Sequence, residues 1–125
     1  MPPRRYTFGK QQRVRNRLEF SAVFDRGIRV PRGPLLLVGM PSEHARSRLG
    51  LSVPKRVGTA PTRNRVKRML RESFRLMQHD VPRPYDLVVV VRPHKPMILA
   101  EYQRALSAMV VKLHQTWEKK SKSEI

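Results

Sequence analysis

The segment from Thr62 to Met77, TRNRVKRMLRESFRLM, constrains the fold of this chain more than any other part of the sequence. At about 100° per residue, apolar side chains gather on one side of a helix, with Phe74 at their border: Val66, Met69, Leu70, Leu76 and Met77. The opposite side carries a row of cations, with Asn64 and Arg68 beside it: Arg63, Lys67, Arg71 and Arg75. Like charges four residues apart repel by roughly 0.2–0.5 kcal/mol per pair. The segment therefore predicts a helix that packs on a core through one face and meets an anionic partner through the other.

The charge balance of the whole chain indicates the same kind of partner. Among 125 residues, 27 are Lys or Arg and 9 are Asp or Glu, which gives a formal net charge of +18. A chain of this charge binds polyanions, either nucleic acid or anionic membrane. The longest apolar runs, PLLLVGM and DLVVVVR, fall far short of the ~20 residues of a spanning helix, and the chain begins without a signal-like apolar region. We therefore expect a cytoplasmic protein whose partner is nucleic acid and not a membrane.

Local signals place the secondary structure along the chain. Asn16 and Glu19 form a capping box that begins a helix, and Gly27 ends it. Apolar or alternating runs predict strands at four places: 28–30, about 35–40, 48–54 and 87–91. Thr59 caps the basic helix, which runs to about Gln78. A final helix carries an apolar stripe: Tyr102, Leu106, Met109, Val110, Leu113 and Trp117.

This order of elements predicts the fold class. The order is a helix, two to three strands, a long basic helix, a strand and a helix. It indicates an α+β fold, a two-layer sandwich in which helices pack on one sheet. With 39% hydrophobic residues, the chain is long enough for one core. We expect a single RNA-binding domain at 16–119, a basic N-terminal arm at 1–15 and a frayed tail at 120–125.

The titratable residues show no arrangement for catalysis by the protein itself. General acid–base chemistry and two-metal hydrolysis need carboxylates or histidines in pairs, whereas the acids here are scattered and the four histidines stand apart in the sequence. The chain has no cysteine for a disulfide or a thiolate zinc site, and no glycine-rich phosphate loop. We therefore predict no catalytic residue, no protein-bound metal and no small-molecule substrate, and a protein-only nuclease is unsupported.

The composition of the cationic face favours RNA over DNA. It is mostly arginine, whose planar fork pairs with phosphate and stacks on bases. A helix that reads the major groove of DNA normally adds neutral polar side chains, and this one offers only Asn64 and Gln78. RNA recognised by shape and phosphate fits such a face better. Phe8, Phe20 and Phe24 offer rings for base stacking, although spacing alone favours a core-facing stripe for the pair on the first helix.

Three segments, in order, resemble the bacterial ribonuclease P protein family. GLSVPKRVGTAPTRNRVKRMLRESFR, at 50–75, resembles the family's signature, in which a strand leads through a basic loop into a helix that opens with Arg-Asn-Arg. NRLEFSAVFDRG resembles the family's first helix, and YDLVVVVRP resembles its last strand. The resemblance implies a left-handed β-α-β crossover through the basic helix, against the usual right-handed rule.

The resemblance also implies an accessory role. In this family a large catalytic RNA removes the 5′ leader of precursor tRNA, using Mg²⁺ that the RNA mainly binds, and the protein assists leader binding and metal affinity. The chain would then be the protein subunit of a ribonucleoprotein endonuclease and not its catalyst. The alternative is a ribosomal or other structural RNA-binding protein that never meets precursor tRNA.

On this resemblance we assign two groups of residues. The first would face the catalytic RNA, from the basic loop and the helix that follows it: Lys55, Arg56, Arg63, Asn64, Arg65, Lys67, Arg68 and Arg71. The second would line a cleft for the single-stranded leader, between the first helix and the sheet: Phe8, Phe20, Phe24 and Leu37. Some family members carry an aromatic residue near Leu36 and Leu37, so the resemblance implies a cleft that stacks less and packs more here.

Overall fold

Three helices and four strands make up the part of the chain that the structure, a computed structural model, describes, which is residues 8–9 and 12–123. In chain order they are α1 (Arg17–Arg26), β1 (Ile28–Arg32), β2 (Leu35–Pro41), β3 (Arg48–Ser52), α2 (Ala60–Met77), β4 (Tyr85–Val91) and α3 (Leu99–Ser123). Single turns of 3-10 helix precede and follow α2, at Lys55–Val57 and Gln78–Asp80. The predicted α+β fold is confirmed.

The strands form one mixed sheet in the order β1-β2-β4-β3. β2 pairs antiparallel with β1 and β4, whereas β3 pairs parallel with β4. Parallel neighbours need a crossover connection, and here that connection contains α2. This is the β-α-β connectivity that the resemblance implies, and its left hand stays a prediction. β1 turns into β2 at Gly33 and Pro34, where Gly33 supplies a positive φ of 56°.

The main core lies between one face of the sheet and the helices α2 and α3. It holds alternate residues of the central strands, such as Leu35 in β2 and Leu87 in β4. α3 buries most of its predicted stripe there: Tyr102, Leu106, Met109, Val110 and Leu113. In α2, Phe74 is fully buried and Leu76 is only partly buried. The sequence predicted Leu76 within the apolar stripe and Phe74 at its border. The structure differs because α2 contacts α3 through the side on which Phe74 lies.

α1 packs on the opposite face of the sheet, over the strand residues that alternate with those of the main core. Val23 of α1 meets Val38 and Val88 there. Leu37 is predicted to line the leader cleft on this side, and that prediction is wrong: Leu37 is fully buried in the main core, while Leu36 faces α1. Successive strand residues point to opposite faces, so an error of one residue moves a side chain across the sheet.

The two edge strands differ from their predicted limits, since β1 is longer than predicted and β3 ends at Ser52, before its predicted end at residue 54. β1 continues through Pro31 to Arg32, because an edge strand tolerates a residue without an N–H donor. At the other edge, the N–H of Val14 donates to the C=O of Leu49 at 3.1 Å. The described part of the predicted arm therefore lies along the outer edge of β3.

The chain ends differ from the predicted arm and tail. α3 continues to Ser123, so helix covers most of the tail predicted from residue 120. Lys120 stabilises this last turn, since its ammonium group stands 5.0 Å from the centre of the Trp117 ring. The rest of the tail, and residues 1–7 and 10–11 of the arm, lie outside the described residues.

Candidate nucleic-acid interface

α1 crosses one face of the sheet and divides it into two grooves. The strand register aligns the side chains of that face in three rows: Leu36, Val90 and Ser52; Val38, Val88 and Gly50; Met40, Asp86 and Arg48. α1 lies over the middle row through Val23. On the helix, Phe20 and Phe24 flank Val23 toward the first row, whereas Glu19 flanks it toward the third. The two grooves therefore differ in chemistry.

The groove beside the first row is apolar and half-open. We call it the aromatic cleft and define it by Phe20, Phe24, Leu36 and Val90, which are all partly buried in one cluster. The two rings lie 6.5 Å apart between their centres, and the guanidinium of Arg29 stands 5.8 Å from the centre of the Phe24 ring. The cleft thus presents rings and aliphatic surface beside a cation, a combination that suits unpaired bases.

Gly50 of β3 determines how closely Phe20 approaches the sheet. A Cβ atom at this position would lie 2.9 Å from Cζ of Phe20 and 2.9 Å from Cβ of Val14. Carbon atoms do not pack this closely, since their optimal separation is about 3.5–4.0 Å. Phe20 is therefore seated on the bare backbone of β3, and its ring serves as packing on one side and as cleft wall on the other.

The groove beside the third row has a volume of about 450 Å³, and an ion-pair network forms part of its lining. Arg48 donates to both carboxylate oxygens of the buried Asp86, each at 2.9 Å, and also to Glu19. The hydrogen bond to Asp86 raises the pKa of Arg48, against the effect of burial. Burial opposes ionisation of Glu19, but hydrogen bonds from Arg48 and from the N–H groups of Arg15 and Asn16 lower its pKa overall. Both carboxylates therefore stabilise the fold through their hydrogen bonds with Arg48.

The start of α2 presents the predicted cations at the surface. Thr59 caps the helix by accepting the N–H of Thr62 at 3.4 Å. Nε of Arg63 donates to the C=O of Gly58 at 3.2 Å, which ties the basic loop to the helix. The exposed members of the first predicted group lie here: Lys55, Arg56, Asn64, Arg65 and Arg68. In the described part of the chain, no carboxylate forms an ion pair with them.

The row of cations on α2 has different surroundings at its two ends. Lys67 and Arg71 are partly buried along the helix. Arg75 instead pairs with Glu72 at 2.6 Å within the helix, and its hydrogen bond lowers the pKa of that carboxyl. The row offered to an anionic partner therefore runs from Arg63 to Arg71.

A third groove, which we call the edge groove, lies at the outer edge of β3 and joins the two predicted surfaces. Its volume is about 400 Å³, and six of its lining side chains are cationic or aromatic: Phe8, Arg13, Arg15, Phe20, Lys67 and Arg71. The structure thus brings Phe8 and Phe20 of the predicted cleft beside Lys67 and Arg71 of the predicted RNA-facing helix. Sequence reasoning missed Arg13 and Arg15. The available signal was Arg-Val-Arg, an alternation that points both cations to one side of an extended segment.

These surfaces present cationic, aromatic and aliphatic side chains to a binding partner. Within residues 8–9 and 12–123, no three side chains of His, Cys, Asp or Glu come together as a group that would hold a metal ion. No helix in the same stretches is long and apolar enough to cross a membrane.

Comparison with known sequences identifies the family. Residues 8–116 match the family model described as Ribonuclease P. The chain is 44% identical over 87 residues to the ribonuclease P protein component of Desulfatibacillum aliphaticivorans, an alignment that covers 70% of this chain and 74% of that one. It is 37% identical over 109 residues to the component of Desulfovibrio desulfuricans, over 86% of this chain and 84% of that one.

Solved structures share the fold. The RNase P protein of Staphylococcus aureus aligns with a TM-score of 0.72 at 27% identity, over 82% of this chain and 96% of that one. The RNase P protein of Thermotoga maritima aligns with a TM-score of 0.69 at 26% identity, over 78% of this chain and 94% of that one. The chain therefore belongs to the ribonuclease P protein family.

Proposed function

We propose that this chain is the protein subunit of ribonuclease P, in which a catalytic RNA removes the 5′ leader of precursor tRNA in the cytoplasm. The observation that carries the proposal is one continuous surface, formed by the exposed start of α2, the edge groove and the aromatic cleft. Family membership supports RNA as the partner. The chain supplies binding and orientation, and the RNA supplies the chemistry.

The start of α2 is the part proposed to bind the catalytic RNA. Arg65 and Arg68 are exposed, carry no ion pair within the described chain and lie on a helix held in place by its cap at Thr59. Arginine side chains on a rigid element pair with phosphates in defined geometry, because the planar fork loses little freedom on binding. A folded RNA with fixed phosphate positions is the partner that such a surface fits.

The aromatic cleft is the part proposed to bind the leader. A leader is single-stranded, so its bases are free to stack on rings such as Phe20 and Phe24. Leu36 and Val90 add aliphatic surface beside the two rings. The proposal therefore assigns the cleft a role in recognising an unpaired strand.

The proposal places the Mg²⁺ ions on the RNA. The donor set of this chain supports that placement, because Asp86 and Glu19 are both bound by Arg48 and the described carboxylates do not gather elsewhere. Mg²⁺ supplies the activated water and the charge neutralisation for phosphodiester cleavage. Cations at the start of α2 and in the edge groove reduce repulsion between two RNA strands, so less Mg²⁺ is needed to hold them together.

The binding role of α2 is tested by replacing one arginine at a time. Arg65→Ala should weaken binding to the catalytic RNA by about tenfold. It should also lower the slope of log K against log salt concentration by roughly one. Arg104→Ala, an exposed arginine of α3, is the matched control and should have little effect. Equal losses for both variants would indicate attraction by net charge alone and would count against a docked helix.

A structural RNA-binding protein is the competing function, and co-purifying RNA separates the two. We expect protein isolated from its own cells at moderate salt to carry the catalytic RNA and precursor tRNA, identified by sequencing. Ribosomal RNA as the main species would favour the alternative.

A further inference from the structure

The loop between β4 and α3 is attached to the rest of the fold through one histidine. Residues 92–98 join these two elements without helix or strand. The backbone of the loop is held at its ends, where the N–H of Arg92 donates to the turn between β1 and β2 at 2.9 Å and the C=O of Ile98 accepts from the first turn of α3. The two prolines of the loop have no N–H to donate. The side chain of His94, which lies between the prolines, supplies a further attachment.

Both ring nitrogens of His94 are hydrogen-bonded. Nδ1 stands 2.8 Å from the C=O of Arg92, and Nε2 stands 2.7 Å from the hydroxyl of Tyr102 on α3. Because a carbonyl oxygen only accepts, Nδ1 carries a proton, and in the neutral ring Nε2 accepts the O–H of Tyr102. The two rings also meet edge-on, at 5.8 Å between their centres. These contacts leave the imidazole one orientation and join the loop to α3.

Tyr102 is a rigid anchor for this bond. Its side chain is buried in the main core, and a buried hydroxyl requires a hydrogen-bond partner. Burial raises the pKa of Tyr102, whereas a backbone hydrogen bond from Met97 and the charge of Arg65 act in the opposite direction. The guanidinium of Arg65, on α2, therefore lies close enough to the hydroxyl of Tyr102 to influence its ionisation.

The start of α2 faces the histidine and the tyrosine across a small cavity. The cavity has a volume of about 70 Å³, and Arg65 lines it from α2, opposite His94 and Tyr102. Arg65 is exposed, as are Arg92 and Lys95 on the loop. Within the described residues none of these three cations takes part in an ion pair. The loop and the start of α2 thus present adjoining cations, and the position of the loop determines their spacing.

We propose that His94 is a positioning residue for docking of the catalytic RNA: through its hydrogen bond with Tyr102 it holds the β4–α3 loop against the start of α2, beside Arg65. This inference rests on the proposed function and deepens it, because it assigns a residue that shapes the RNA-binding surface without contacting the RNA. A loop that is fixed before binding lowers the cost of ordering it in the complex.

The test compares variants that keep or remove this one hydrogen bond. His94→Gln retains an acceptor at the distance of Nε2 and can still bind the hydroxyl of Tyr102, whereas the shorter side chain in His94→Asn reaches only as far as Nδ1. Tyr102→Phe removes the hydroxyl and leaves the ring in the core. His44→Asn, at an exposed histidine after β2, is the matched control.

Two quantities are measured at a temperature where every variant is folded, as established by thermal melting. The first is the dissociation constant of the catalytic RNA alone across a salt series. The second is the ratio of the dissociation constants of precursor and mature tRNA with the catalytic RNA present.

His94→Asn and Tyr102→Phe should each weaken binding of the catalytic RNA by about three- to tenfold, the effect of one hydrogen bond. The double variant should lose no more, because both changes remove the same bond. His94→Gln and His44→Asn should bind like the wild type. The slope of log K against log salt concentration should not change in any variant, since no phosphate contact is removed. The precursor ratio should also stay constant, because the aromatic cleft lies on the other side of the sheet.

Two results would overturn the positioning role. A lower melting temperature for His94→Asn with wild-type affinity would limit the bond to stability of the free protein. A smaller salt slope for both His94→Asn and His94→Gln would make His94 itself a phosphate contact. A wild-type protein that does not bind the catalytic RNA would overturn the proposed function, whereas wild-type binding shared by all variants would overturn this inference alone.

Discussion

At the scale of single residues, Arg48 joins three elements that are separated along the chain. It stands on β3, pairs through two hydrogen bonds with Asp86 on β4 and reaches Glu19 on α1. Glu19 in turn accepts the backbone N–H groups that begin α1. One partly buried guanidinium therefore helps to set the position of α1 on the sheet, and with it the position of the cleft wall.

Glu19→Gln tests this network through pH. The pKa of Glu19 is lowered by folding, so its contribution is present above the unfolded value of 4.5 and is lost as pH falls through the lower folded value. The variant should lose roughly 1–2 kcal/mol of unfolding free energy at neutral pH. Its difference from wild type should shrink below about pH 4.5. Urea unfolding across pH measures both effects.

The control for this experiment is Glu43→Gln, which changes an exposed carboxylate in the loop after β2. A stability loss and acid dependence like those of Glu19→Gln would show that general charge, and not the network, sets the pH dependence.

Phe20→Leu separates the two roles of its ring. Because the ring rests on Gly50 and also walls the cleft, the change should reduce the preference for precursor over mature tRNA by about fivefold, equivalent to about 1 kcal/mol of lost stacking. The measurement is the ratio of the two dissociation constants with catalytic RNA present. Leu18→Ala, on the exposed side of the same helix, is the control. A lower melting temperature with an unchanged ratio would assign Phe20 to packing alone.

The residue-scale assignments show where sequence reasoning stops. Phe20 and Phe24 were placed correctly on one side of α1, because a helix with a clear cap has a known phase. Leu37 was misplaced because LLLV is apolar throughout, and a run without alternation does not reveal which residues face which side. The alternation Arg-Val-Arg predicts a shared side for Arg13 and Arg15, but only the pairing of this segment beside Leu49 brings that side to the edge groove.

At the scale of elements, local sequence signals were sufficient to predict where the helices begin, but not to predict the order of the strands in the sheet. The capping box at Asn16 and the cap at Thr59 begin α1 and α2 as predicted, since capping is decided within four residues. The sheet order, with β4 between β2 and β3, depends on contacts between distant segments. Nothing within a single strand encodes its neighbours.

The orientation of α2 is tested by two alanine variants. Phe74→Ala should lower the free energy of unfolding by roughly 3–5 kcal/mol, because it leaves a cavity at the centre of the core. Leu76→Ala should cost less than about 1 kcal/mol, because Leu76 is only partly buried. Urea denaturation followed by circular dichroism gives both values. Similar losses for the two would mean that α2 packs through the stripe predicted from sequence.

At the scale of the whole molecule, the proposed binding surface draws on both sides of the sheet. α2 and α3 pack on the main core on one side, α1 and the aromatic cleft lie on the other side, and Arg13 of the arm pairs with the edge of β3. A net charge of +18 opposes compaction of the free protein. On the proposed function, an RNA partner would remove that penalty by neutralising the cations of α2 and the edge groove.

The same arrangement explains how much of the candidate site was predictable from the sequence. Charge and the Arg-Asn-Arg motif predict a binding surface on α2 from sequence alone, since both are local properties. The continuity between that surface and the cleft was not predictable, because it depends on how the arm, β3 and α2 meet in space. The edge groove is therefore a property of the fold and not of any one motif.

The most direct test of the central claim is cleavage of precursor tRNA by the matching catalytic RNA, at low Mg²⁺, with and without this protein. The account predicts faster cleavage with the protein, an advantage that shrinks as Mg²⁺ is raised, and none with the protein alone. Absence of stimulation at every Mg²⁺ concentration, with RNA that is active by itself at high Mg²⁺, would contradict it.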